Sequence, residues 1–439
     1  VRSVSRGIDR IEATFDDPNL VSNAGLILVA TLTARLGLEA LINQTVHLSG
    51  RVGGALPGRK VLTLIHTMAA GGSHIDHADM LRAGATRAVL GFTVMAPSTL
   101  GTFLRAFTFG HIRQLDRVVA ETIRRAWNAG AGPGADRLVV DIDSTITEVH
   151  GHAKGGAGYG YTRQLGYHPL LATRADTGEI LHARMRKGSV NTQRGANRFV
   201  QELIARVRRA GATGRLVVRA DSGFWSAKTI ATLNRLDVRY SITIPQNHSV
   251  KAAIAAIDED DWVDIVYPAG GTAQVTETTY KHYRLVVRRT RLTDTTQAAL
   301  WPDWRHHAFV TDVTDDPVNA DQFHRHHAVV ELNIRDLKEG AGLEHVPSGQ
   351  FLANAAWLVC AVLAHNLIRW TATLGHIEPD TGPGRLVVAR TIRTRYLALP
   401  ARLVNRAGRP TLRLPTDWPW ATTFTAALDA LRTITAVPD

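Results

Sequence analysis

RLVVDIDST (137–145) and RLVVRADSG (215–223) are the two stretches on which the fold turns. Each is a short β-branched run that ends in an acid followed by a small polar residue, the pattern of a buried strand entering a loop. Asp141 and Asp143 stand two apart, so on a strand both side chains take the same face. Asp221 closes the second run. In open sheets with helical crossovers, ligand sites gather at the carboxyl ends of the strands. Two carboxylates delivered there suit a hard cation such as Mg²⁺, which takes oxygen ligands, keeps waters and leans on substrate phosphates. Asp143 is preferred as the first ligand because it is nearer the strand end, and Asp141 stands as the alternative.

The flanking segments supply the rest of a sheet. The stretch 164–188 reads as two strands around the turn Asp176-Thr177-Gly178, and 192–211 as an amphipathic helix stopped by Gly211. A helix over 226–237 and a strand over 238–245 follow. Three strands, helix, strand, helix, strand is the order of an α/β, RNase H-like mixed sheet, here expected over 137–246 and 305–376. Alternating runs within 247–304 predict a small β-rich antiparallel insertion. Residues 1–130 carry apolar positions at helical spacing and are expected to form a helical N-terminal domain for DNA binding or dimerisation. The glycine-rich stretch 128–137 reads as a linker, and 377–439 as a C-terminal hairpin, turning at Ala407-Gly408, and a tail.

The third acid comes from ADQFHRHHAVVELNIRDLKEG (320–340), which reads as one helix. His324, His327, Glu331, Arg335 and Lys338 recur at three or four residues and share a face, beside an apolar stripe of Phe323, Val330, Ile334 and Leu337. One acid among cationic or neutral donors fits a metal-binding carboxylate whose neighbours touch phosphates, whereas an ordinary Glu331–Arg335 surface pair is the plainer alternative.

Composition narrows the partners. Lys and Arg number 51 against 39 Asp and Glu, a net +12, and the arginine-rich surplus suits a phosphate-rich polymer. The single cysteine, Cys360, excludes an intramolecular disulfide framework and a cysteine-rich zinc site. The apolar run Phe351–Trp370 is broken by Asn354, His365, Asn366 and Arg369, so it is expected to be a core helix rather than a membrane span. With no apolar leader visible, a cytoplasmic protein is expected. The loop 150–169 lacks the Lys-Ser/Thr ending of a nucleotide-binding loop; it is expected near Asp143, with His152, Lys154 and Arg163 facing DNA. Arg184, Arg186 and Lys187 extend that expected groove, and Trp225 is a candidate for stacking on a base, set against core packing. His74, Asp76, His77 and Asp79 look like metal ligands, but the spacing equally suits a helix start.

HRHHAVVELNIRDLKEG (324–340), together with VVDIDST (139–145) and VVRADSGFW (217–225), resembles the IS1380 insertion-sequence transposases within the IS4-like DDE group. The resemblance covers nearly the whole chain, including 353–370 and the basic hairpin at 409–415. The group's late motif has Tyr, Arg, Glu and Lys; the matching positions are His324, His327, Glu331 and Lys338, so two of the four differ. The resemblance implies that Asp143, Asp221 and Glu331 hold two Mg²⁺ ions, with Mn²⁺ as a substitute. It further implies cleavage of double-stranded DNA at terminal inverted repeats, then strand transfer into a target by a paired homodimer. A metal-dependent nuclease that cuts without joining, and an inactive DNA-binding protein, are the alternatives. A serine recombinase is disfavoured because Ser144 and Ser222 lack an activating constellation.

Overall fold

In the computed structural model, residues 8, 11–151, 153–160, 163–266, 271–291, 304–378 and 386–438 are described. The two opening stretches become adjacent parallel strands, β1 (Leu138–Ser144) and a later strand, Leu216–Ala220, paired Asp141 to Arg219. Antiparallel to β1 on its other side lies β2 (Leu170–Arg174), and beyond it the edge strand β3 (Ile180–Arg184). The turn joining them is the expected one: Gly178 sits at φ +71°, and a Cβ there would meet Asn333 at 2.6 Å. Leu216–Ala220 is β4, and β5 (Arg239–Thr243) pairs parallel to it.

The order β3-β2-β1-β4-β5, with β2 antiparallel to β1 and β4 and β5 parallel to it, is the RNase H-like sheet. Its strands are buried on both faces, which is why they read as near-continuous apolar runs. The insertion is not a separate unit. Its strands β6 (Val263–Ile265), β7 (Thr272–Tyr280) and β8 (Tyr283–Arg291) continue through β9 (Arg305–Thr311), which pairs with β5. One nine-stranded sheet therefore runs β6-β7-β8-β9-β5-β4-β1-β2-β3.

The helical region and the sheet likewise share a core. Helices α1 (Ile27–Arg35), α2 (Pro57–Ala69), α3 (Pro97–Arg105) and α4 (Phe109–Ala126) all pack on a helix near the other end of the chain, Phe351–Leu374. One contiguous apolar cluster runs from Leu26 to Leu431 through the sheet, so the expected boundary near residue 130 does not separate two cores. The glycine-rich stretch 128–137 begins in a π-helical turn, Trp127–Ala131, and runs exposed over 134–137 into β1; Trp127, just ahead of it, is buried and its indole donates to Glu179 at 2.7 Å. Glu179 is wholly buried at the head of β3; it also accepts from the Trp370 indole and lies 3.5 Å from Arg174. Burial pushes its carboxyl up from the usual range, while those three donors pull the other way.

On the sheet's faces, α5 (Ala196–Ala210) ends where Gly211 adopts φ +115°, as its position after the last turn required. Helix α6 (Ala227–Arg235) is capped by Ser226. The predicted single helix over 320–340 is two: α7 (Pro317–Arg325) and α8 (Val329–Gly340), joined by a 3₁₀ turn at His326–Ala328. Phe351–Leu374 is α9. It is long and apolar enough to cross a membrane, yet most of it is buried against other elements of this chain. The predicted hairpin forms at Ala401–Arg406 and Arg409–Arg413, and Leu20–Val21 adds a third strand to it.

Candidate active site

Strand β1 places Asp143 and strand β4 delivers Asp221, one residue past its end, at the same edge of the sheet. With Glu331, from the first turn of α8, they line one cavity of about 600 Å³. His327, Arg335 and Lys338 line it as well. Asp143 Oδ1 accepts from the Ser144 backbone N–H at 2.6 Å, and Asp221 Oδ1 from that of Gly223 at 3.1 Å. Each acid thus caps the loop behind its strand and still lines the cavity.

The electrostatics of the cavity converge on Asp143, where the other two acids act against the Ser144 N–H and His327. Burial pushes Asp143 up to about 6, the neighbouring Asp221 adds to the rise and Glu331 adds further. Burial also raises Asp221, against the pull of the Gly223 N–H and His327. A divalent cation beside these oxygens would relieve that cost, and a hard oxygen donor set fits Mg²⁺ or Mn²⁺. Among the described residues no group of three or more His, Cys, Asp or Glu is arranged to hold a metal ion unaided. An open set is what an ion completed by water and substrate phosphate would use.

Asp141 is a different case from its neighbour. It is wholly buried and gripped by Arg219, with Nε to Oδ1 at 2.7 Å and Nη2 to Oδ2 at 2.8 Å. His327 Nδ1 lies 2.9 Å from Oδ1 as well. With both oxygens engaged, Asp141 is removed as the alternative metal ligand; it anchors Arg219 and orients His327. Arg219 in turn donates to the Phe323 carbonyl at 2.6 Å and stacks on that ring, binding the sheet to α7. Sequence reading missed Arg219 and the Asp141–His327 contact.

His324 also departs from expectation. It is buried, with Nδ1 2.8 Å from the Ser241 hydroxyl, Nε2 2.9 Å from that of Thr243, and its ring stacked on Phe309 at 4.1 Å between centroids. Burial holds its pKa well below the ordinary value, so it is a neutral core residue that cannot reach a phosphate. The 3₁₀ turn between α7 and α8 is what parts it from Glu331's face. Lys338 is half-buried; its Nζ donates to the Ile146 carbonyl at 2.7 Å while lining the cavity, and burial lowers its pKa. Arg335 is exposed beside it.

The outlying candidates divide. Lys154 is tied down, its Nζ donating to the Val346 carbonyl at 2.5 Å. Arg163 is exposed but does not line the cavity, and His152 lies outside the described residues. Arg186 is buried and braces the loop 191–194 through carbonyls of Asn191, Thr192 and Arg194, while Arg184 pairs with Glu202. Phe224 is core; Trp225 is half-buried, edge-on to Tyr283 at 5.3 Å, and stands apart from the cavity lining. His74 and His77 flank the start of a 3₁₀ turn, Ile75–Leu81, where the Ser73 N–H donates to His77.

Two acids on neighbouring parallel strands of an RNase H-like sheet, faced by a third on a helix, define the architecture of a DDE-type nucleic-acid enzyme. Residues 5–436 match the family described as transposase DDE domain group 1, and the chain belongs to that family. No curated protein matches the sequence. Among solved structures, the piggyBac transposase synaptic complex with hairpin DNA is similar at 11% identity and a TM-score of 0.48, over 86% of this chain and 80% of that one.

Proposed function

We propose that this chain is an IS1380-type transposase that cuts double-stranded DNA at its element's terminal inverted repeats and joins the freed 3′-hydroxyl to target DNA. The observation that carries the proposal is the shared cavity of Asp143, Asp221 and Glu331, in which the other two acids raise the pKa of Asp143, in a chain of the DDE transposase family. Asp143 and Asp221 each spend one oxygen on a backbone N–H, which fixes the carboxylate plane and leaves oxygens for Mg²⁺. Glu331 contributes from the opposite wall. When bound, a pair of such ions would lower the pKa of the attacking oxygen and neutralise the leaving one. Arg335 and Lys338 supply positive charge to the scissile phosphate and its neighbours. Lys338 is pre-placed by its bond to Ile146, so less side-chain freedom is lost on binding. Asp141 holds the His327 ring at the cavity wall. Paired element ends call for two copies, and DNA in the bacterial cytoplasm is the expected setting.

The test is incubation of the protein and Mg²⁺ with DNA carrying the element's own terminal repeats and a target plasmid. Strand-transfer joints are expected from the wild type, and a loss of at least about a hundredfold from Asp143→Asn, Asp221→Asn and Glu331→Gln. Nicks without joints would replace this reading with the nuclease; unchanged joining by the three variants would remove the proposed site.

A further inference from the structure

Ahead of the first strand, residues 11–19 form an arm without regular structure. Its two large apolar side chains are bare: Ile11 is 73% and Phe15 107% exposed. They stand four apart, one helical turn, in the stretch IEATFDD (11–17), with acids at Glu12, Asp16 and Asp17. Asp17 is held by Arg402 of the same chain at 3.3 Å, which fixes the root of the arm. Glu12 and Asp16 have no ion-pair partner among the described residues.

The complement of this arm lies elsewhere on the surface. A cavity of about 220 Å³ opens between the starts of α4 and α9 and the edge strand β3. Its apolar wall includes Met185, Phe351, Leu352 and Val359, and Phe109 stands at its mouth 70% exposed. Its lining is cationic on balance: Arg113, Arg184 and Arg198 converge on Glu202, and Arg113 also lies 3.6 Å from Asp116, the one acid among the described residues of the lining, so three guanidinium groups face two carboxylates. An apolar cavity with an arginine rim matches, in both hydrophobicity and sign, an arm with apolar residues flanked by acids.

We infer that the arm of one copy docks in this cavity on a second copy, Ile11 and Phe15 entering the apolar part and Glu12 and Asp16 meeting Arg113 and Arg198. Each chain carries both halves of the contact, so two copies exchange arms about a two-fold axis and the assembly closes as a dimer. The cavity lies at the catalytic end of the sheet, since the register runs from Ser144 across Leu170 to Arg184. The contact deepens the pairing of copies proposed above. Its test uses no DNA, so its failure leaves the catalytic reading standing.

Sedimentation equilibrium of the full chain is expected to show a dimer, and Phe15→Asp to weaken it at least about tenfold. Glu12→Arg and Arg198→Glu should each weaken it, and the two together in one chain should restore it. Arg198 is 75% exposed on its side chain, so its reversal leaves the core untouched, and the rescue separates a lost contact from a lost fold. A Thr14→Cys, Phe109→Cys chain should oxidise to a covalent dimer. A wild type that stays monomeric at about 50 µM, well above a micromolar dissociation constant, overturns the inference. So does a dimer indifferent to Phe15→Asp, or a disulfide formed within a single chain.

Discussion

Two sites of the molecule treat their carboxylates oppositely. At the head of β3, Glu179 is surrounded by donors: two indoles and Arg174. In the cavity at the far ends of β1 and β4, Asp143 and Asp221 receive one backbone N–H each and then face one another. Burial raises the pKa in both places, and a like charge adds to it in both, Asp176 at Glu179 and Asp221 at Asp143; only at Glu179 do two indoles and a guanidinium pull the other way. The first arrangement is complete and holds the fold; the second is incomplete and has room for a cation. Asp141 shows how local the distinction is. Two residues from Asp143 on the same strand, it belongs to the completed kind, with Arg219 and His327 closing its oxygens.

The contrast is breakable by substitution. Glu179→Ala should be the most damaging, leaving two buried indole N–H groups without their acceptor, while Arg174 keeps Asp176 and the Ala131 carbonyl. A loss of about 3–5 kcal/mol is expected, read from denaturant midpoints, at about 1–3 kcal/mol for each stranded indole. Asp141→Ala strands Arg219 and should cost about 3 kcal/mol by the same measurement. Asp143→Asn should go the other way. Because the folded-state pKa of Asp143 lies near 6, above the ordinary 3.8, its protonated form is favoured by folding. That contribution is full below about pH 4 and is lost as pH rises through about 6. In chelator at pH 7 the asparagine variant should therefore be more stable than the wild type by about 2 kcal/mol. The gain should vanish near pH 4, and it should shrink when Mg²⁺ is added to the wild type. An Asp143→Asn protein that melts below the wild type at pH 7 would place Asp143 among the completed carboxylates. The smallest effect is Arg335→Ala: the slope of log affinity for DNA against log salt should fall by about 1, with no change in melting.

Much of this layout was legible because strands buried on both faces must be apolar. The runs at 138–144 and 216–220 therefore announced themselves, and the acids after them marked the sheet's edge. The pairing of Asp141 with Arg219 was also written there, in the matching strings RLVVDID and RLVVRAD, where the two residues hold the same place. Only knowledge that the two strands lie side by side turns that coincidence into an ion pair. The helical face was overread for a related reason. A continuous 3.6-residue period was assumed through His326–Ala328, and a 3₁₀ turn shifts the phase there, sending His324 inward to Phe309. How the glycine-rich stretch and the β-rich insertion attach to the rest was set at a longer range. Glycine and alternation are local signals, whereas Trp127 reaching Glu179 and β9 pairing with β5 are decided by packing.

Helix α9 has a consequence for the order in which the chain matures. The partners that bury α1, α2, α3 and α4 include residues made only after position 351. A growing polypeptide must therefore hold four helical segments with the faces that meet α9 uncovered until most of the chain has left the ribosome. Such a protein completes its first third last, and a fragment ending near residue 130 would lack the wall it folds against.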